Sequence, residues 1–172
     1  MISALRLGFL VVLIAVSAVA CSRDETVVSE DGRFSAVFPG SPKTSSVPVQ
    51  SGDVTVTMNM VGVENGAASY IVSTVDYPDG TLSRKPVDAA FQSIVDGTVG
   101  NVRGTLRSAS PITLGEATGR EVLIDVTTKD LAVHERIFIV GDRLYQVMYG
   151  GPAGTESAPR ATRFLNSFKL LP

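Results

Sequence analysis

Residues 132–149, AVHERIFIVGDRLYQVMY, predict a β-hairpin at the centre of the fold. Gly141-Asp142 is a tight-turn signal between two runs, 132–140 and 143–149, that are rich in β-branched and aromatic side chains. Strands joined by so short a turn pair antiparallel, because parallel strands need a long crossover connection. We therefore expect an antiparallel sheet that extends outward from this hairpin.

Six further segments show the features of strands and are bounded by Gly, Pro, Asn or Asp turns. Phe34, Ala36 and Phe38 alternate with Arg33, Ser35 and Val37, which is typical of a half-buried strand. The predicted strands are 34–38, 47–50, 53–61, 68–77, 106–112 and 120–127.

Two segments have the period of an α-helix instead. After Pro86, apolar residues recur at spacings of three and four from Val87 to Thr98, and Gly97 and Gly100 predict that this helix ends near Val99. A second helix is predicted over 157–170, with Pro159 in its first turn. The sequence therefore predicts a two-layer α+β domain, a mostly antiparallel sheet of about six to eight strands with the central and C-terminal helices packed on one face.

The N-terminal segment 1–20 is typical of a secretory signal peptide. Arg6 is its only charge, an apolar stretch follows, and small residues precede Cys21. Ala18-Val19-Ala20-Cys21 resembles the bacterial lipobox, which implies that Cys21 is lipidated and becomes the acylated mature N-terminus. The predicted organisation is a signal peptide at 1–20, a lipidated N-terminus and tether at 21–29, and a single α+β domain at 30–172. An uncleaved signal anchor with an unmodified Cys21 is the alternative.

The charge balance argues against nucleic-acid binding. The whole chain has a net charge of −2, and removal of residues 1–20 takes away one arginine and no acid, leaving −3. A nucleic-acid-binding domain calls for a basic patch or stripe. Cys21 is the only cysteine, so no intramolecular disulfide can form.

Several pieces together resemble a known group of proteins. They are DGRFSAVFPGSPK at 31–43, YIVSTVDYP at 70–78, TLGEATGREV at 113–122, RIFIVGDRLYQVMYGGP at 136–152 and FLNSFKLL at 164–171. In this order they resemble bacterial lipoproteins of unknown function with a PsbP/Mog1-like α/β fold. The resemblance spans nearly the whole mature chain, and it implies a binding or assembly role at the cell envelope rather than catalysis.

The candidate contact residues are polar or amphipathic side chains of the predicted strands. Arg120 and Glu121 are adjacent in a strand, so they point to opposite faces and each must find a different partner. Arg120 is either part of a structural ion pair or an arginine presented to a carboxylate or phosphate. Tyr145 and Tyr149 share one face of their strand and are either a ligand or partner surface or plain core.

No catalytic or metal-binding motif occurs in the sequence. His134 is the only histidine and is expected on a solvent-facing or edge position, while nucleophile elbows and phosphate-binding loops are lacking. We expect no catalytic residue, cofactor or metal. The expected function is a non-catalytic, lipid-anchored module outside the cytoplasm that binds an envelope protein or small ligand through the sheet face that the helices leave open.

Two other functions stay open from the sequence. The first is an envelope hydrolase or transferase that uses carboxylates around Asp76, Asp125 or Glu121, which would need two of them in one cleft. The second is a structural stress or assembly factor. Ser22, which follows Cys21, is compatible with transfer to the periplasmic side of an outer membrane if the organism has one.

Overall fold

The protein is described by a computed structural model that covers residues 23–51 and 54–172. The predicted signal peptide at 1–20 and the lipidation of Cys21 lie outside the described residues, and both stay predictions.

The described residues form ten strands and two α-helices. In chain order these are β1 (Glu25–Ser29), β2 (Phe34–Phe38), β3 (Lys43–Ser51), β4 (Val54–Asn65), β5 (Ala68–Asp76), α1 (Val87–Val102), β6 (Thr105–Leu114), β7 (Ala117–Val126), β8 (Leu131–Val140), β9 (Arg143–Pro152), α2 (Pro159–Ser167) and β10 (Lys169–Leu170). A single 3-10 turn, Thr127–Lys129, joins β7 to β8.

The hairpin predicted from residues 132–149 lies within the larger sheet. Its strands β8 and β9 pair antiparallel up to Val140 and Arg143, on either side of Gly141-Asp142. The sheet has seven strands in the order β3-β4-β5-β9-β8-β7-β6, and all neighbours are antiparallel. The predicted α+β class and mostly antiparallel sheet are therefore confirmed. A second, three-stranded sheet has the order β1-β2-β10.

The two helices lie on opposite faces of the large sheet, which corrects the prediction that both pack on one face. Leu144 of β9 belongs to a buried cluster with Phe91 of α1. Its neighbour Tyr145 belongs to a different cluster with Phe164 of α2 and Phe38 of β2. Adjacent strand residues point to opposite faces. The central strands carry buried apolar side chains on both faces, so each face needs its own cover.

Three predicted boundaries also change. Residues 25–29 belong to the predicted tether, but they form β1, which pairs with β2 from Glu25 to Ser29. Helix α1 continues through Gly97 and Gly100 to Val102, where Arg103 takes a left-handed conformation and ends it. Helix α2 ends at Ser167 rather than near 170, since Lys169–Leu170 pairs with β2.

Candidate functional site

One open part of the large sheet lies beside α1. The apolar side of α1 packs with β7, through a buried cluster that contains Phe91, Val122 and Ile124. This face forms two adjoining depressions that share Glu64 and Ser69. One, of about 500 Å³, lies over β3, β4 and β5. The other, of about 860 Å³, lies at the end of the sheet, beside the β4–β5 turn, the β7–β8 connection and the end of α1. Ligand pockets typically measure roughly 300–1,000 Å³. We call the two depressions together the groove; its lining includes Lys43, Met60, Gly62, Glu64, Gly66, Ala67, Ser69, Ile71, Arg103, Lys129, Met148 and Gly150.

Small residues lower the floor of the groove. Gly62 lies opposite Ile71, and Gly150 lies opposite Ser69 in the strand register. A Cβ atom at Gly62 would lie 3.1 Å from Cγ1 of Ile71, and one at Gly150 would lie 3.0 Å from Oγ of Ser69. Both distances are tighter than ordinary van der Waals contact, so larger residues would displace the floor. The half-buried side chains of Met60 and Ile71 form the apolar part of this floor.

Charged side chains lie along the rim of the groove. Lys43 lies in one depression, and Arg103 and Lys129 lie in the other, with Glu64 common to both. The backbone of Arg103 is fixed at the end of α1, because its φ of 53° is left-handed and its N–H donates to the carbonyl of Gly100 at 3.1 Å, while its side chain is exposed. An apolar floor with a few charged groups on its rim suits a ligand that is partly apolar and partly charged.

Arg120 lies on the α1 face but outside the groove. Its guanidinium forms an ion pair with Asp88 at the start of α1 and lies 4.8 Å from the centre of the Phe91 ring. It also donates to the carbonyl of Gly119 at 3.1 Å. These contacts fasten α1 to β7, so the arrangement favours the structural interpretation of Arg120.

Glu121 points to the opposite face, as predicted for the neighbour of Arg120. Its Oε1 accepts from Nε of Arg136 at 2.9 Å and lies 3.0 Å from Nε2 of His134. Burial alone would raise the pKa of Glu121, but the hydrogen bonds from Arg136 and His134 outweigh it and hold the pKa below its usual value. Glu121 is therefore an ionised, paired carboxylate and a poor general base.

His134 is not on an edge strand, which corrects its predicted position. It belongs to β8, which lies between β7 and β9, and its side chain is 12% exposed. Its Nδ1 lies 2.9 Å from the backbone oxygen of Glu156, and its Nε2 faces Glu121. With both ring nitrogens occupied by protein oxygens, His134 holds strands together and is closed to a ligand.

Tyr145 and Tyr149 share one face, as predicted, but that face is interior. Each is 3% exposed and belongs to the cluster beneath α2 and the small sheet. Tyr149 packs edge-on against Tyr70 with ring centres 5.3 Å apart, and its hydroxyl lies 2.7 Å from Oγ1 of Thr155. This burial excludes both as surface contacts, and the core interpretation holds.

The acids considered for catalysis are each paired with an arginine. Asp76 accepts from Nη2 of Arg143 at 2.7 Å, and Asp125 forms an ion pair with Arg107. Glu121 and Asp125 share a face of β7 four residues apart, which is a separation of roughly 13 Å at the rise of a strand. The structure does not bring these acids into one cleft.

A buried polar cluster lies between α1 and the sheet. Glu135 is fully buried, and its Oε1 accepts from Nε2 of Gln146 at 2.7 Å. Nε2 of Gln146 also donates to Oγ1 of Thr98 at 3.3 Å. The second oxygen, Oε2, has no hydrogen-bond partner among the described residues. Burial raises the pKa of Glu135 to about 7, but with no exposed surface this carboxyl cannot reach a substrate.

Sequence reasoning missed the residues of the groove, although a signal for them exists. Lys43 and Ser45 of β3 lie on the same face as Gly62 and Met60 of β4. Polar and small residues at inward positions of an edge strand indicate that nothing covers them. Reading this signal requires the register of the strands, which the sequence alone does not provide.

The comparisons with known proteins bear on the fold alone. No protein-family model matches the chain, and the search of curated proteins found no match. The solution structure of cyanobacterial PsbP (CyanoP) from Synechocystis sp. PCC 6803 is similar, with a TM-score of 0.59 and 9% sequence identity over 92% of this chain and 98% of that chain. The chain therefore has a PsbP-like fold, as the sequence resemblance implied. Within the described residues, no helix is long and apolar enough to cross a membrane.

Proposed function

We propose that this chain is a non-catalytic binding module, tethered to the cell envelope by a lipid on Cys21, whose ligand or partner occupies the groove. The observation that carries the proposal is the groove itself, an open depression with an apolar floor on the α1 face of the sheet. The predicted signal peptide and lipobox supply the extracytoplasmic location and the anchor. Ser22 is compatible with a final position on the periplasmic side of an outer membrane where the organism has one.

The arrangement of the described acids supports binding rather than catalysis. An acid–base mechanism with two carboxylates needs two acids near one substrate with pKa values pushed apart. Glu121, Asp125 and Asp76 each face an arginine, and Glu135, the described carboxyl with a raised pKa, is sealed beneath α1. The groove has one carboxylate in its lining, Glu64, and cationic side chains at its rim. No histidine is among its described lining residues.

Site-specific photo-crosslinking in native membranes tests the proposal. A benzoylphenylalanine replaces Met60 in the groove or, as a matched control, the exposed Ser110 of β6 at the far edge of the sheet. We expect one discrete adduct from position 60 and none from position 110. Filling the groove with Ser69→Phe in the position-60 variant must abolish that adduct. Identical products from both positions, or an adduct that survives Ser69→Phe, would refute the groove as the binding site.

The anchor is tested by the intact mass of protein extracted from membranes, with Cys21→Ala as the control. We expect a chain that begins at Cys21 and carries added acyl and glyceryl mass. An unmodified thiol would refute the lipid anchor and leave the groove to be judged by the crosslinking alone.

A further inference from the structure

Only a very short connection separates the domain from the lipid anchor of the proposed function. The membrane orientation inferred below rests on that anchor. Asp24 forms an ion pair with Nη1 of Arg163 on α2 at 3.0 Å, and Glu25 already pairs with Phe38 in the small sheet. Only Ser22 and Arg23 separate Cys21 from Asp24, so three Cα–Cα steps place their Cα atoms at most about 11 Å apart. A connection this short holds the attached end of the domain close to the lipid headgroups.

The larger depression of the groove lies at the same end of the domain. Phe38 pairs with Glu25, and the next residue, Pro39, accepts through its carbonyl a 2.8 Å hydrogen bond from the side chain of Asn65. Asn65 begins the β4–β5 turn, whose Gly66 and Ala67 line the groove. The β7–β8 connection lies at this same end of the large sheet, because Leu131 pairs with both Val126 and Pro152.

This end carries cations that are available to a partner. Arg103 and Lys129 lie on the groove rim, and Arg160 precedes Arg163 by one turn of α2. All three are exposed, and none forms an ion pair with a carboxylate among the described residues. Glu25, Glu64 and Asp130 also lie at this end, so the surface is mixed in sign. Arg103 and Lys129 are the two cations beside the groove at this end.

We propose that this end of the domain rests on the anionic phospholipid headgroups of its own membrane, with Arg103 and Lys129 on the phosphate groups and the groove open towards the bilayer. The ligand of the groove is then taken from the membrane side. The opposite end of the sheet, with the Gly115-Glu116 turn and the loop that contains Arg84 and Lys85, faces away from the membrane.

Fluorescence energy transfer from a tryptophan to the membrane measures this orientation. Because the chain contains no tryptophan, one introduced tryptophan is the sole tryptophan donor. A single tryptophan is introduced as Ala67→Trp near the groove mouth or as Glu116→Trp at the other end. The ten-residue β7 between these ends spans roughly 33 Å. Native lipidated protein is placed in phosphatidylglycerol-containing vesicles with a dansyl-labelled headgroup as acceptor. We expect transfer from position 67 to exceed transfer from position 116 at least several-fold.

Charge reversal tests the cationic contact. Arg103→Glu with Lys129→Glu is expected to lower the ratio of transfer from position 67 to that from position 116. The matched control, Arg84→Glu with Lys85→Glu, makes the same change in net charge at the other end and should leave the ratio unchanged. Equal transfer from the two reporters in lipidated protein would overturn the orientation, and a ratio unaffected by the first double variant would overturn the phosphate contact.

The mass of the same preparation separates the orientation from the proposed anchor. A lipidated Cys21 with equal transfer from both reporters refutes the orientation and leaves the anchor standing. An unmodified Cys21 with no transfer from either reporter refutes the anchor and the orientation with it.

Discussion

Glu135→Gln should make the protein more stable at alkaline pH, although it alters a fully buried residue of the central sheet. Oε1 of Glu135 accepts from Gln146, while Oε2 has no partner among the described residues. Glutamine keeps the accepting oxygen and the shape of the protonated acid, and it cannot ionise. The substitution removes the negative charge that appears beneath α1 when Glu135 loses its proton, and it replaces the single O–H of the acid by two amide N–H groups, a change that does not depend on pH.

The size of the effect follows from the pKa of Glu135. Burial raises that pKa from its ordinary value of 4.5 to about 7, so the folded protein holds a proton that the unfolded chain has released. The free energy of unfolding then falls as the pH rises from about 4.5 to about 7 and stays lower above that range. A shift of this size corresponds to about 3 kcal/mol at pH 8 and above.

Urea unfolding of both proteins between pH 4 and pH 9, followed by circular dichroism, checks this prediction. Wild type and Glu135→Gln should have similar stability near pH 4, and the variant should gain on the wild type as the pH rises to about 7. Glu116→Gln, at an exposed turn, is the control and should follow the wild type. Parallel pH profiles for wild type and Glu135→Gln, or a variant less stable than wild type at pH 8, would show that ionisation of Glu135 does not destabilise the fold.

Other variants test the loop, the backbone and the core. Asp142→Asn should destabilise the protein above about pH 4. The backbone N–H groups of Ser83, Gly80 (at 2.9 Å) and Leu82 donate to the carboxylate of Asp142 and lower its pKa. The melting temperature of the variant should therefore approach that of the wild type in more acid solution. Gly97→Ala, in open space on α1, should raise the free energy of unfolding by up to about 1 kcal/mol. Gly119→Ala should lower it, since the added Cβ would lie 2.5 Å from the carbonyl oxygen of Ile137. Phe164→Ala, in the core beneath α2, should cost about 3–5 kcal/mol in urea unfolding, and a smaller loss would refute its central place.

The strands could be predicted from the sequence because their signals are local. Gly141-Asp142 marks the turn of the central hairpin, and alternation in Phe34–Phe38 marks a strand with one buried face. The placement of the helices could not be predicted in the same way. The apolar stripe of α1 shows that this helix covers a sheet, but Leu144 and Tyr145 are both apolar and both buried. Which face receives which helix is decided by tertiary packing.

The candidate site was harder to predict than the fold for a related reason. Sequence reasoning selected Arg120, Glu121, Tyr145 and Tyr149, which are conspicuous residues of well-formed strands. In the structure Arg120 and Glu121 form ion pairs, and Tyr145 and Tyr149 lie in the core. Strong local signals in a strand therefore led to residues that serve the fold.

The uneven burial of the strands explains why the smaller depression of the groove lies towards the β3 edge of the sheet. The central strands β5 and β9 carry buried side chains on both faces, whereas β3 is largely exposed. Since α1 packs on β7, it covers less of its face of the sheet as the distance from β7 increases. Gly62 and Ser69 lie where α1 no longer covers the sheet. Because their side chains are small, they leave a depression instead of a packed core. An open apolar floor persists in water most readily where a partner covers it for part of the time. In the orientation that we propose, this floor lies near the membrane, and binding in the groove and attachment to the bilayer would then be parts of one geometry.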